Sequence, residues 1–395
     1  MKKLPLYVYY LLIAQAFNLI AAVLSVTVAA IVGLKLAPSQ ALATTPYGLQ
    51  FLAMLLTTFI FSGLMKKMGR HTVFQFGCLC LLSAGLTGFF ALQYEHFYLL
   101  CLSHFLLGLF ISTANFYRFA ASDRLEANLI PKATAMVISG GVIAAIVAPV
   151  LAIQFQQVHG LPDFTAIYLI FSGLALLLSP VLYVWNQKFK VQQIAQISSE
   201  SSVQPGLSVS LILVAVISGA FAFYIMNVMM IMSSLHLKEH HSFQYASVSI
   251  QLHVLAMFIP SFFVSRLIQR WGTQSVIYSG FILLMLSSLI PAFTQASLYI
   301  NISLIVLGVG WNFAYSGAST LIAGLNEQQK HRIQGLNETV IALFATLGAF
   351  LPAPILIAFG WKNANLLALS ICVIVFMILI FLNRKMKQGT EAVSS

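Results

Sequence analysis

Asn115-Phe-Tyr-Arg-Phe-Ala-Ala-Ser-Asp123 closes a long apolar run and sets an arginine inside it. In lipid such a charge costs about 2.5–3.5 kcal/mol even on the gentler insertion scales, so it normally faces a cavity or a partner. The run itself, residues 98–121, is long enough to cross a bilayer, which takes about 20 mostly apolar residues. Working outward, equivalent runs fall at 6–33, 45–65, 72–92, 98–121, 133–155 and 164–185, then at 207–232, 244–267, 274–294, 298–324, 335–357 and 363–382. Met-Lys-Lys followed by apolar residues has the outline of a signal peptide, but the run to about Val32 is too long for one and is read as the first span. Composition agrees: 60% of the 395 residues are hydrophobic and 7% charged, against about 25% charged in soluble domains. The expected fold class is an all-α polytopic membrane protein with twelve transmembrane helices.

The net charge of +11 does not point to nucleic acid, because the basic residues sit in short loops between apolar runs. With the N-terminus inside, sixteen Lys and Arg fall in inner loops and only Lys35, Lys238 and Lys362 in outer ones. The positive-inside rule then places both termini in the cytoplasm, and the expected location is the plasma (inner) membrane. The longest polar interruption, Gln187 to Gly206, divides the spans six and six. The expected organisation is a bundle over 1–186, a cytoplasmic linker over 187–206 and a second bundle over 207–395. The halves also echo each other. Gly108 to Lys132 and Gly308 to Arg332 have equal spacing, Gly69 and Gly272 each close a basic loop, and Pro149 pairs with Pro352. Internal repeats of this kind are common in transporters.

Twelve spans, a six-plus-six division and the loop Ser62-Gly-Leu-Met-Lys-Lys-Met-Gly-Arg-His71 resemble a major facilitator superfamily transporter over nearly the whole chain. The family's loop signature, roughly Gly-x-Leu-x-Asp-Arg-x-Gly-Arg-Arg, is matched by Leu64, Lys67, Gly69 and Arg70. It departs at Ser62 and at Lys66, which stands in the aspartate's place. The second-half copy keeps Leu267, Arg270 and Gly272 and has Gln269 at the acidic position. The resemblance implies two pseudo-symmetric six-helix bundles, alternating access, a monomer, and a cytoplasmic latch in which Arg70 meets Asp123. Lys66 puts the other half of that latch, toward span 11, in question. Span 5 offers only Gly140-Gly141 and Ala148-Pro149 against the antiporter motif, which gives little support to antiport.

The resemblance further implies that spans 1, 4, 7 and 10 line the cavity. The solute-binding candidates are then Gln15, Asn18, Asn115, Arg118, Tyr224, Asn227, Trp311, Asn312 and Tyr315. Asn115 with Arg118, and Asn312 with Tyr315, are spaced to share a helix face. Aromatic rings with a few polar groups suit a flat or amphipathic organic solute, although such polar groups also serve as hydrogen bonds between helices. For Arg118 three readings stand: snorkelling to the interface, pairing with Asp123 or a helix C-terminus, or meeting an anionic solute with its planar fork.

No acid falls deep in an expected span; Asp123 and Glu338 come out near cytoplasmic ends. That leaves His104 and His253 as candidates for proton coupling. Cys78, Cys80, Cys101 and Cys372 all lie in apolar runs and are read as buried side chains. His236, His240 and His241 stand in a short outer loop with only Glu239 beside them, so neither a metal nor a cofactor is expected. A polytopic enzyme would need clustered His and acids at membrane depth, and no Walker-type loop is present. The expectation is a secondary transporter, not an enzyme, moving a small anionic or amphipathic metabolite with a lean to export. The alternatives are an importer of an organic anion such as a carboxylate or siderophore, or a sensor that has lost transport on the same scaffold.

Overall fold

The computed structural model describes residues 4–39, 42, 45–196, 208–240 and 243–394, and all their regular structure is helical. The first eight helices are α1 (Leu6–Leu36), α2 (Thr45–Met68), α3 (Arg70–Gln93), α4 (Phe97–Ala114), α5 (Tyr117–Ser122), α6 (Ile130–Ile138), α7 (Gly140–Gln154) and α8 (Thr165–Gln196). They are followed by α9 (Val209–His240), α10 (Phe243–Phe258), α11 (Ser261–Trp271), α12 (Thr273–Phe293), α13 (Ser297–Ala323), α14 (Glu327–Phe350) and α15 (Pro352–Ser394). Among the described residues, eleven helical spans are long and apolar enough to cross a membrane. The pair α10 and α11, bent by 41°, makes a twelfth when counted as one. Of the expected linker, α8 covers the residues to Gln196, and 197–206 lie outside the described residues.

Contacts divide the chain into two units: Met1–Ala121 with Gly140–Val203, and Ser122–Ser139 with Gln204–Ser395. In the first, α3 packs on α4 and α8, α2 on α4, and α1 on α7 and α8. In the second, α13 packs on α12, α9 and α10, α9 packs on α14 and α15, and α6 lies on α11 and α13.

The sequence repeat is carried into atomic contacts. Ser103 Oγ donates to the Ala84 carbonyl (2.7 Å), and Ser303 Oγ to the Ser287 carbonyl (2.6 Å). The hydroxyls of Ser112 and Thr58 meet at 2.9 Å, and Asn312 Nδ2 donates to Ser261 Oγ at 2.6 Å. Gly108 lies so close to the Gln50 carbonyl, and Gly308 to that of His253, that a Cβ would collide at either place. Gly69 and Gly272 share φ 83°, a left-handed conformation that glycine adopts without strain. One numbering shift along α4 and another along α2 and α3 therefore carry the first unit's contacts onto the second.

The repeat departs at Pro260, which matches Thr57. Thr57 sits inside the unbroken α2, whereas proline has no N–H to donate, and the helix ends at Phe258 and restarts at Ser261. Asn312 Nδ2 bridges the break, donating to the Met257 carbonyl at 2.7 Å as well as to Ser261.

Three sequence expectations are corrected. Pro352 does not lie inside the eleventh span opposite Pro149; it opens α15, while Pro149 is within α7. The loop expected at His236 is the last part of α9. The eleventh span begins before 335, because Asn326 Oδ1 caps the backbone N–H of Gln329 and starts α14 at Glu327. Glu338 is thereby set inside α14 rather than near its start. It lies nine residues beyond Gln329 in a span of 22, about 14 Å along a helix about 33 Å long.

Candidate functional site

In the first unit Asn18 is buried and its Nδ2 reaches Gln15 Oε1 at 3.5 Å, while its Oδ1 has no hydrogen-bond partner among the described residues. The pair thus presents an open acceptor on α1. Helix α4 stops at Ala114 and α5 resumes at Tyr117, which frees the carbonyl of Asn115. Arg118 Nη1 donates to it at 2.7 Å, and the guanidinium carbon sits 4.3 Å from the Phe119 ring centre. At 4% exposure the Arg118 side chain, from α5, braces the C-terminal end of α4, a favourable place for a cation.

His104 joins four helices. Its Nε2 pairs with the Tyr168 hydroxyl at 3.0 Å, and its Nδ1 lies 3.4 Å from both Gln50 Oε1 and Ser25 Oγ. Ser25 and Gln50 are themselves bonded at 2.6 Å. In the second unit His253 Nδ1 donates to the Leu304 carbonyl at 2.7 Å, and its buried Nε2 has no hydrogen-bond partner among the described residues.

The aromatic candidates separate into two groups within the second unit. Trp311 and Tyr315, one turn apart on α13, stack at 4.7 Å and 19°. Phe223 of α9 meets both edge-on, at 5.2 and 5.1 Å, and Phe258 of α10 meets Trp311 at 5.8 Å. These separations suit aromatic pairing. The indole N–H of Trp311, 2% exposed, has no hydrogen-bond acceptor among the described residues. Tyr224 instead joins Phe221 and Phe344, and Asn227 Nδ2 donates to the Ala345 carbonyl at 3.0 Å, tying α9 to α14. The amide nitrogen of Asn312 is engaged by Met257 of α10 and Ser261 of α11. Phe223 and Phe258, which sequence reasoning passed over, complete the cluster; nothing marks them among 31 phenylalanines.

Of the latch candidates, Lys67 and Arg270 are exposed and Gly69 and Gly272 turn their loops. Arg70, in the first unit, is buried with Nη1 4.0 Å from Met65 Sδ. Asp123, in the second, forms an ion pair with Lys330 of α14 at 2.7 Å, the two side chains 11% and 7% exposed. Gln269, at the acidic position of the second-half loop, donates to the Asn128 carbonyl at 3.2 Å. Beneath these contacts Ala135 of α6 is buried with Val264, Ile268, Val276 and Phe313. The segment 122–139 is held by charge at one end and apolar packing at the other.

Among the described residues no three His, Cys, Asp or Glu side chains are grouped to hold a metal. His236 lies against Trp361 at 4.3 Å; the side chain of His240 and all of His241 lie outside the described residues. The four cysteines are free and buried.

A family model described as Major Facilitator Superfamily matches residues 6–349 and 216–394. The riboflavin transporter RfnT of Brucella anthropi is 29% identical over 388 residues, covering 97% of each chain. The uncharacterised transporter YdeG of Bacillus subtilis is 24% identical over 380 residues, covering 91% of this chain and 86% of its own. Among solved structures, the human organic anion transporter MFSD10 matches with a TM-score of 0.78 at 12% identity, covering 94% of this chain and 98% of its own. A bacterial homologue of ferroportin in an outward-facing state matches at 0.73 and 13%, covering 96% and 99%. At such identities these two show the fold alone.

Proposed function

Because this chain belongs to the major facilitator superfamily, we propose that it is a secondary transporter for a planar heteroaromatic solute of the flavin class, with both termini cytoplasmic. The observation that carries the reading is the cluster of Phe223, Phe258, Trp311 and Tyr315 with the Trp311 indole N–H left without an acceptor. A buried donor without a partner costs about 1–3 kcal/mol. A heterocycle with a carbonyl or ring nitrogen at its edge stacks on the rings and takes that donor. The relative named as a riboflavin transporter, alike over almost its entire length, supports the same class. Such a solute is an amphipathic metabolite that needs no charge, and Arg118 then serves as a brace for α4 rather than as an anion site. The solute site is exposed alternately to the two sides of the membrane.

The test is riboflavin flux in proteoliposomes, measured in both directions. Trp311→Phe keeps an aromatic face, though a smaller one, and removes one hydrogen bond worth about 0.5–1.5 kcal/mol, so the half-saturating concentration rises at least about two- to twelvefold. Trp311→Ala removes the stacking surface as well and falls further. Wild-type affinity in Trp311→Ala, or no riboflavin flux in the wild type, refutes the reading.

A further inference from the structure

Asn312 uses only half of its amide. Its Nδ2 spans the break between α10 and α11, donating to the Met257 carbonyl at 2.7 Å and to Ser261 Oγ at 2.6 Å. Its Oδ1, at the same break, is fully buried and has no hydrogen-bond partner among the described residues. One turn along α13 the Ser316 hydroxyl is likewise buried without a partner among them. Residues four apart share a helix face, and side chains lean toward the preceding turn, so Ser316 Oγ is directed at Asn312. The Ala256 carbonyl is a third idle oxygen. Its donor in an unbroken helix would be the N–H of residue 260, and Pro260 has none. A Cβ on Gly308, one turn before Asn312, would lie 2.9 Å from the Ala256 carbonyl carbon, so that group rests on the same face of α13.

The first unit shows what the second has given up. Ala53 and Thr57 stand where the second unit has Ala256 and Pro260, and Thr57 Oγ1 donates to the Ala53 carbonyl at 2.7 Å. Ser112, which matches Asn312, meets the hydroxyls of Thr57 and Thr58 at 3.2 and 2.9 Å. All three side-chain oxygens there are engaged. We propose that the break between α10 and α11 binds sodium through Asn312 Oδ1, Ser316 Oγ and the Ala256 carbonyl, and that sodium is the ion coupled to transport.

The donor set selects the ion. Amide, hydroxyl and carbonyl oxygens are hard ligands that suit a hard cation. Unwound carbonyls and helix C-terminal ends hold sodium in transporters, and the end of α10 carries partial negative charge. None of the three ligands titrates, which disfavours a proton, and none is anionic, which favours one positive charge over two. Helix α13 has no charged side chain, and Arg266, the first on α11, is exposed, so neither helix sets a cation of its own at the break.

The site adjoins the aromatic cluster. Asn312 follows Trp311 on α13, and Phe258, the last residue of α10, meets Trp311 at 5.8 Å. An ion at the break fixes the end of α10 and Phe258 with it, so sodium and solute favour each other's binding. This coupling rests on the solute reading; the ion site does not.

The test takes the two apart. The purified chain, without solute, is heated in detergent with NaCl, or with KCl or choline chloride at equal ionic strength. The transition is expected to rise with sodium and to saturate, and to stay in place with the other two salts. Ser316→Ala removes a hydroxyl that bonds to none of the described residues, so the fold stands. It should raise the half-maximal sodium concentration about tenfold or more, as the loss of a hydrogen bond to a charge would. Pro260→Ala restores an N–H for the Ala256 carbonyl and should weaken the sodium effect likewise. In proteoliposomes with the membrane potential held at zero, a sodium gradient should accumulate riboflavin, about tenfold per tenfold sodium ratio at one ion per solute. Sodium-specific stabilisation that both variants weaken, with no riboflavin flux, supports the ion site and removes only the solute reading. Riboflavin accumulation driven by a pH gradient and not by sodium overturns the coupling. No sodium-specific stabilisation, or one unchanged in both variants, overturns the site and leaves the solute reading standing; the idle oxygens then hold water.

Discussion

Breaking the ion pair between Asp123 and Lys330 gives the segment 122–139 a measurable freedom. The two groups meet at 2.7 Å with side chains 11% and 7% exposed, so little water stands ready to replace a lost partner. Removing one member of a buried pair costs about 3–5 kcal/mol. Both residues engage further groups, which sets the expected loss at the lower end. About 3 kcal/mol corresponds to about a 150-fold increase in the undocked fraction of the segment. The reporter is Ala135→Cys, placed where α6 is buried against Val264, Ile268 and Phe313. Maleimide reaches it only when α6 lifts, and the four native cysteines are buried. Labelling should be slow in the parent and about 150-fold faster after either Asp123→Asn or Lys330→Met. Exchanging the charges, Asp123→Lys with Lys330→Asp, should restore it to within about tenfold of the parent. Single changes without effect, or an exchange that labels faster than either single change, refute the reasoning.

Other perturbations follow from the same packing. Gly308→Val drives a side chain into the backbone of α10 at His253 and Met257 and should lower thermal stability in detergent by about 1–3 kcal/mol or more. Gly173→Val, with open space around it, should change little. His104→Phe strips the Tyr168 hydroxyl of its partner while Ser25 and Gln50 keep each other, at a cost of about 1–3 kcal/mol in the same thermal assay. A wild-type transition in that variant shows that the cluster contributes nothing.

The number of spans was legible because a window of apolar residues announces a membrane crossing wherever it stands. Their ends were less so. Glu327-Gln-Gln-Lys-His-Arg332 reads as a polar loop, and only the Asn326 cap reveals it as the first part of α14. With the helix start misplaced, nothing in the sequence showed that Glu338 is buried within α14. Trp311 and Tyr315 announced themselves by chemistry and by a spacing of one turn. Their companions Phe223 and Phe258 did not, since an aromatic ring in an apolar helix has the same sequence signal wherever it points. Asn312 looked like a lining residue, yet it satisfies a carbonyl at the break before Pro260, an acceptor that exists only once that helix has bent. The ion pair of Asp123 with Lys330 was not legible, because Lys330 lies far along the chain and no local pattern joins the two.

Pro260 gives one copy of the repeat a joint that the other lacks. A rod that has lost a rung can swing its lower part while its upper part stays still, and the Asn312 amide is the pin across that joint. The second unit therefore holds a break within a single crossing, where α2 in the first is one unbroken helix. If the duplicated halves take unequal shares of the transport cycle, that one imino acid is the reason.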